Sequence, residues 1–299
     1  MAMSSGVLAR PRPFLGWLLL VPAALLALWV WRGIPLPAPS VEPVALPPYL
    51  ILLFAAAVLG GSLNAVAGGG SFLTFPALVF VGIPPVAANA TSTVALWPGG
   101  WASVAAYRRE LVGHRRLFLV ILAAVSVAGG LLGALLLLHT PQMTFVRLTP
   151  YLLLGATLLF AFGKQTAALT RRWSSISGTS WRRTMVGAGV AQFVIAIYGG
   201  YFGGGLGVLM LAALGLLGLD NLHQMNALKT LLAACINGVA VLVFILAGIV
   251  AWPQAIIMVV GAIIGGFGGA TIARRIDPRW TRATVILVGL AMTTYFFVR

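Results

Sequence analysis

Acidic residues are nearly missing from this chain. Asp and Glu number 4 in 299 residues, against 19 Lys and Arg. The four, Glu42, Glu110, Asp220 and Asp277, all fall between apolar runs. A proton or sodium relay built on carboxylates inside a membrane therefore has no candidate. Charged residues of both signs reach only 8%, where a soluble domain carries roughly 25%. That is too little polar surface to coat a globule in water. The lone cysteine, Cys235, excludes an intrachain disulfide. His114, His139 and His223 stand far apart and show no metal-ligand spacing. No HExxH run and no serine–histidine arrangement is present. The expectation is a protein with no catalytic residues, no metal and no cofactor, and so not an enzyme.

What fills the chain is apolar sequence. Hydrophobic residues make up 61%, and the mean hydropathy is +1.04. Long uncharged stretches point to an all-α, polytopic protein whose partner is the lipid bilayer. Length alone would suggest about two soluble domains; in lipid the chain reads as one bundle of two halves. Eleven apolar segments follow in order: Phe14–Trp31, Leu50–Ala67, Phe72–Val81, Asn89–Tyr107, Leu117–Leu138, Phe145–Phe162, Thr184–Tyr201, Leu206–Leu219, Asn226–Val250, Trp252–Ile272 and Ala283–Val298. Residues 1–47 read as an extra N-terminal span with a Pro-rich linker, 48–163 as a first repeat, 164–183 as a basic linker and 184–299 as a second repeat. The first span also has the basic start of a signal peptide, but its length and its Trp29/Trp31 end suit a retained helix.

The net charge of +15 is divided among short loops. No continuous basic face forms, so no nucleic-acid partner is expected. With a cytoplasmic N-terminus, Arg10, Arg12 and the loops Arg108–Arg116, Lys164–Arg183 and Arg274–Arg282 all fall inside. Only Arg32, Arg147 and Arg299 fall outside. The positive-inside rule is then satisfied almost throughout. The same assignment starts the first repeat outside and the second inside, so the two are inverted.

Each repeat is marked by one ordered pair of motifs. Gly68-Gly69-Gly70 leads through a short apolar segment to Asn89-Ala90-Thr91-Ser92-Thr93. Gly203-Gly204-Gly205 leads likewise to Asn226-Ala227-Leu228-Lys229-Thr230. The offset drifts only from 135 to 138 residues. The segments after the triplets are too short to cross a bilayer comfortably, so the helices are Gly-broken or re-entrant. Pro98-Gly99-Gly100 is a further expected interruption, of the span Asn89–Tyr107.

Broken backbone inside a membrane is tolerated where protein buries it or a cavity hydrates it. A glycine triplet permits the break and brings N–H groups close to a ligand. The following short helix aims its positive end at the break, which suits an anion. The candidate binding residues are Gly68, Gly69, Gly70, Asn89, Thr91, Ser92, Gly203, Gly204, Gly205, Asn226, Lys229 and Thr230. Each has a structural alternative. The glycines can serve close packing, Asn89 and Asn226 can cap helices, and Lys229 can snorkel to the interface. Asn64 and Gln192, on the helices leading into the triplets, either line the same cavity or hydrogen-bond between helices.

Ala67 to Leu78 with Gly82-Ile83-Pro84-Pro85 and Asn89-Ala90-Thr91-Ser92, together with Gly200 to Gly207, Asn226 to Thr230 and Trp252-Pro253, resembles the sulfite exporter TauE/SafE family of membrane permeases. The resemblance covers roughly Pro48 to Phe297. It implies a multi-pass permease of the prokaryotic inner membrane. Its partner would be a small anionic substrate, sulfite or another sulfur oxyanion or organosulfonate, moved by alternating access. An anion channel would use the same residues without alternation. A membrane scaffold or sensor would use the triplets for packing alone. The N-terminal span and linker depart from the many relatives that start at the first repeat.

Overall fold

The computed structural model describes residues 47–66, 68–106, 116–174, 181–216, 222–272 and 278–298. The expected first span, nearly all of the Pro-rich linker and parts of the three basic loops, 107–115, 175–180 and 273–277, lie outside the described residues. Ten α-helices and no strand occur among the described residues. They are α1 (Pro47–Val66), α2 (Ser71–Phe80), α3 (Pro85–Ala106), α4 (Arg116–His139), α5 (Gln142–Ser174), α6 (Trp181–Tyr201), α7 (Leu206–Leu216), α8 (Leu222–Leu246), α9 (Trp252–Ile272) and α10 (Pro278–Val298). Each of the ten expected apolar segments from Leu50 onward is one of these helices. Several ends shift by a few residues, α8 running Leu222–Leu246 and α10 starting at Pro278, and two differences go further. α5 runs on through Ser174 into the expected basic linker, where Lys, Gln, Ala and Leu are good helix formers. α3 passes without a break through Pro98-Gly99-Gly100. Packing of α3 on both α8 and α9 holds it there, and Ser103 Oγ donates to Gly99 O at 3.1 Å.

Among the described residues, α4 (Leu117–His139) and α8 (Gln224–Leu246) are long and apolar enough to cross a membrane. The apolar parts of α1, α2, α6, α9 and α10 run 10–17 residues. Large apolar side chains stand on the outside of most helices: Ile51 and Leu59, Phe80, Leu117, Val186 with Val190 and Val194, Ile256 and Phe267. A monomeric protein in water rarely exposes so much.

The main helix pairings are kept when the two halves are exchanged. α1 lies along α9, and α6 along α4; α3 packs on α9, and α8 on α4. α3 meets α8, and α5 meets α10. The closest pairs are small-residue seams. A side chain at Gly61 or Gly265 would run into the backbone of the facing helix, and the same holds for Gly133 and Gly200. Small residues let helices approach until backbone touches backbone. Ser62 Oγ adds a bond to Gly265 O at 2.9 Å, and Gln192 Nε2 one to Ser126 Oγ at 2.7 Å. Behind α2, Phe75 meets Phe202 and Phe145 edge-on at 5.8 and 6.2 Å and stacks on Phe296 at 5.7 Å. This aromatic cluster joins the halves, each ring pair adding about 0.5–1.5 kcal/mol.

Candidate functional site

Both long helices that precede the short ones end in the same way. At the end of α1, Gly68 has φ 77°, and its N–H donates to Leu63 O at 3.2 Å and Asn64 O at 3.1 Å. At the end of α6, Gly203 has φ 73°, and its N–H donates to Tyr198 O at 3.3 Å. Only glycine takes this left-handed backbone without strain. The two breaks meet: a Cβ on Gly68 would lie 2.7 Å from Gly207 Cα. The N–H groups of Gly68 and Gly203 are thus spent closing the helices, and other groups are left to face a ligand.

A cavity of about 50 Å³ lies between the breaks. That is room for about four waters. The first half contributes Asn64, Gly68 and Ser71, and a stripe of α3 made by Thr93, Leu96, Trp97, Gly100 and Ser103. The second half contributes Gly203, Leu206 and Gly207, and a stripe of α8 from Lys229 and Thr230 through Ala233 and Ala234 to Asn237. Steps of three and four residues keep each stripe on one helix face. Ser71 opens α2, and Leu206 opens α7. The positive ends of both short helices therefore converge on the cavity.

Lys229 is the eighth residue of α8 and only 2% exposed. Its Nζ has no hydrogen-bond partner. All four acidic residues of the chain lie outside the described residues, so no carboxylate among the described residues faces it. The snorkelling alternative puts the ammonium at an exposed helix end, and burial is the opposite. An unpaired buried ammonium carries a penalty of several kcal/mol. A bound anion would offset it. Asn237 Oδ1, two turns further along α8, is also buried without a partner.

Of the residues expected from sequence, Gly68, Gly203, Lys229 and Thr230 line this cavity, as does Asn64. The others sit elsewhere. Asn89 is the fifth residue of α3, and Asn226 is the fifth of α8. Neither stands at a cap position. Asn89 Nδ2 donates to Tyr201 O at 3.0 Å, tying α3 to the end of α6. Thr91 Oγ1 accepts the Ala251 N–H at 3.0 Å, just before α9. Ser92 Oγ bonds Thr74 Oγ1 at 2.6 Å. Asn226 Oδ1 is buried without a partner. Gly69 and Gly70 are buried, with Gly70 set against the backbone of Gly60. Gly204 O accepts the Tyr198 hydroxyl at 2.6 Å, and Gly205, at φ 73°, faces Ala156. Trp97, Ser103 and Asn237 are lining residues that the motifs alone did not mark as a site. Carrying the stripe forward from Thr93 and Lys229 in helical steps would have reached all three.

The sequence profile of the sulfite exporter TauE/SafE family matches residues 52–296. A probable membrane transporter protein of Haemophilus influenzae is 28% identical over 247 residues, 82% of this chain and 92% of that protein. A probable membrane transporter protein of Sinorhizobium, ORF9, is 29% identical over 81% of this chain and 90% of its own. The probable membrane transporter protein YfcA of Escherichia coli K12 is 30% identical over 83% and 89%. No solved structure matches the chain. The match runs through both glycine breaks and both cavity stripes, and on it the chain belongs to the sulfite exporter TauE/SafE family.

Proposed function

We propose that this chain is a bacterial membrane permease that binds a small anion between its two glycine breaks. The observation that carries it is Lys229: a buried ammonium without a partner, in the wall of a cavity onto which two helix N-termini converge. Cation and helix ends favour the same guest. The family's name and the transporter names of the relatives support transport, with sulfite or another sulfur oxyanion or organosulfonate as cargo. The bacterial relatives and the basic loops support a multi-pass protein of the inner membrane.

The mechanism proposed is alternating access. Loop charges favour opposite orientations for the two halves, and the helix pairings kept on their exchange support two inverted repeats. One half rocks on the other around the bound anion, exposing it first to one side and then to the other.

The test is sulfite flux into proteoliposomes, together with affinity of the purified protein. Lys229→Met keeps length and removes charge. It should weaken affinity tenfold or more, the order expected for losing about 1.5–3 kcal/mol of charged hydrogen bonding. Lys229→Arg should keep part of the affinity. Saturable flux with counterflow supports a carrier. Unchanged affinity in Lys229→Met would remove the lysine from the site.

A further inference from the structure

We propose that Trp97 sets the upper size of the anion that the cavity admits, an inference that rests on the anion site proposed above. Trp97 lies midway along the cavity stripe of α3, between Thr93 and Gly100. Its ring is held against the facing helix. Nε1–H donates to Ala234 O at 3.2 Å, and the ring meets Trp101 edge-on at 6.3 Å. Gly238 makes room for it, since a Cβ there would stand 3.2 Å from Nε1 and 3.5 Å from Cε2 and Cζ2. The ring therefore has a floor, a hydrogen bond and a neighbour that keep it from swinging aside.

The repeat makes the asymmetry clear. Aligning Asn89 with Asn226 puts Trp97 opposite Ala234, the residue whose carbonyl it holds. One repeat supplies the ring and the other a methyl group, with Ala233 beside it. Two rings would collide where α3 and α8 meet. One ring fills the shared space and leaves about 50 Å³. Room for about four waters is close to the bulk of a central atom with three or four oxygens, and a longer tail would have to pass the ring.

The experiment measures binding to the purified full-length chain by thermal melting and calorimetry. The probes are sulfite, methanesulfonate, butanesulfonate and benzenesulfonate, with butanol and benzyl alcohol as uncharged controls. The wild type should bind sulfite and methanesulfonate and discriminate against the two larger sulfonates. Trp97→Ala should lower the methanesulfonate-to-butanesulfonate affinity ratio at least tenfold, and Trp97→Phe should fall between. Should Trp97→Ala not fold, Trp97→Leu carries the same comparison. An unchanged ratio, or equal loss for every probe, overturns the filter. Equal gain for the uncharged alcohols also overturns it, because ring removal would then only open an apolar void. Lys229→Met should lose the whole sulfonate series in either background. If it binds them as before, the anion site itself fails, while an unchanged size ladder sinks only the role of Trp97. No binding of any sulfonate by any variant overturns both.

Discussion

Two glycines at the cavity wall separate conformational need from space. Gly68 has φ 77°, and a methyl group there would press on Gly207 Cα at 2.7 Å. Gly100 lies within α3 and has nothing within 4 Å. Gly68→Ala should destabilise by about 1–3 kcal/mol from backbone strain alone, with more from forcing the two breaks apart. Gly100→Ala should keep or raise stability, by up to about 1 kcal/mol of helix propensity, while its methyl group narrows the cavity and weakens anion binding. Melting curves with and without sulfite check both. A Gly100→Ala protein that melts early but binds normally would contradict the assignment. Gly204 behaves differently again: a side chain there would strike the Phe202 ring, so its substitution acts through the aromatic cluster and not through the cavity.

Among the helices, the polar residues of the first Asn-Ala-x-x-Thr motif tie the two halves together. Asn89 holds the end of α6, and Thr91 holds the Ala251 N–H before α9. The second motif lacks the counterparts of these ties: Asn226 Oδ1 is unpartnered, and Leu228 stands in the slot of Thr91. Thr91→Val keeps the shape and strands the buried Ala251 N–H. It should cost about 1–3 kcal/mol and speed hydrogen exchange at Ala251. Asn226→Leu should cost much less, since its oxygen already lacks a partner. Equal exchange at Ala251 in Thr91→Val and wild type would show that this bond contributes nothing to joining the halves.

For the whole molecule, the inverted-repeat proposal fixes the side of every loop. Cysteines at Val112, Ser177 and Ile276, each in a Cys235→Ala background, should be protected from an impermeant thiol reagent in intact cells. Thr140→Cys, in the turn between α4 and α5, should be labelled. External labelling at Ser177 would put the halves in the same orientation and remove the basis for rocking about a shared site.

The order of helices and the two breaks were legible in the sequence, because apolar run length, glycine triplets and repeated motifs are local signals. Lys229 was legible too, since an ammonium in an apolar run stands out wherever it occurs. Which motif residues face the cavity was decided by tertiary structure. Neighbouring residues on a helix point about 100° apart, so Ser92 bonds Thr74 while Thr93 lines the cavity. In the other half Lys229, in the slot of Ser92, lines it together with Thr230. The pattern of the motif is identical, but the rotation of each helix is set by its neighbours, through small-residue seams and the ties of Asn89 and Thr91. The straight passage of α3 through Pro98 has the same origin: a proline weakens a helix locally, and packing on α8 and α9 keeps it whole. Trp97 shows the same division. Its ring was visible in the sequence, but only the approach of α8, with Gly238 beneath and Ala234 O within reach, turns it into a wall of the site.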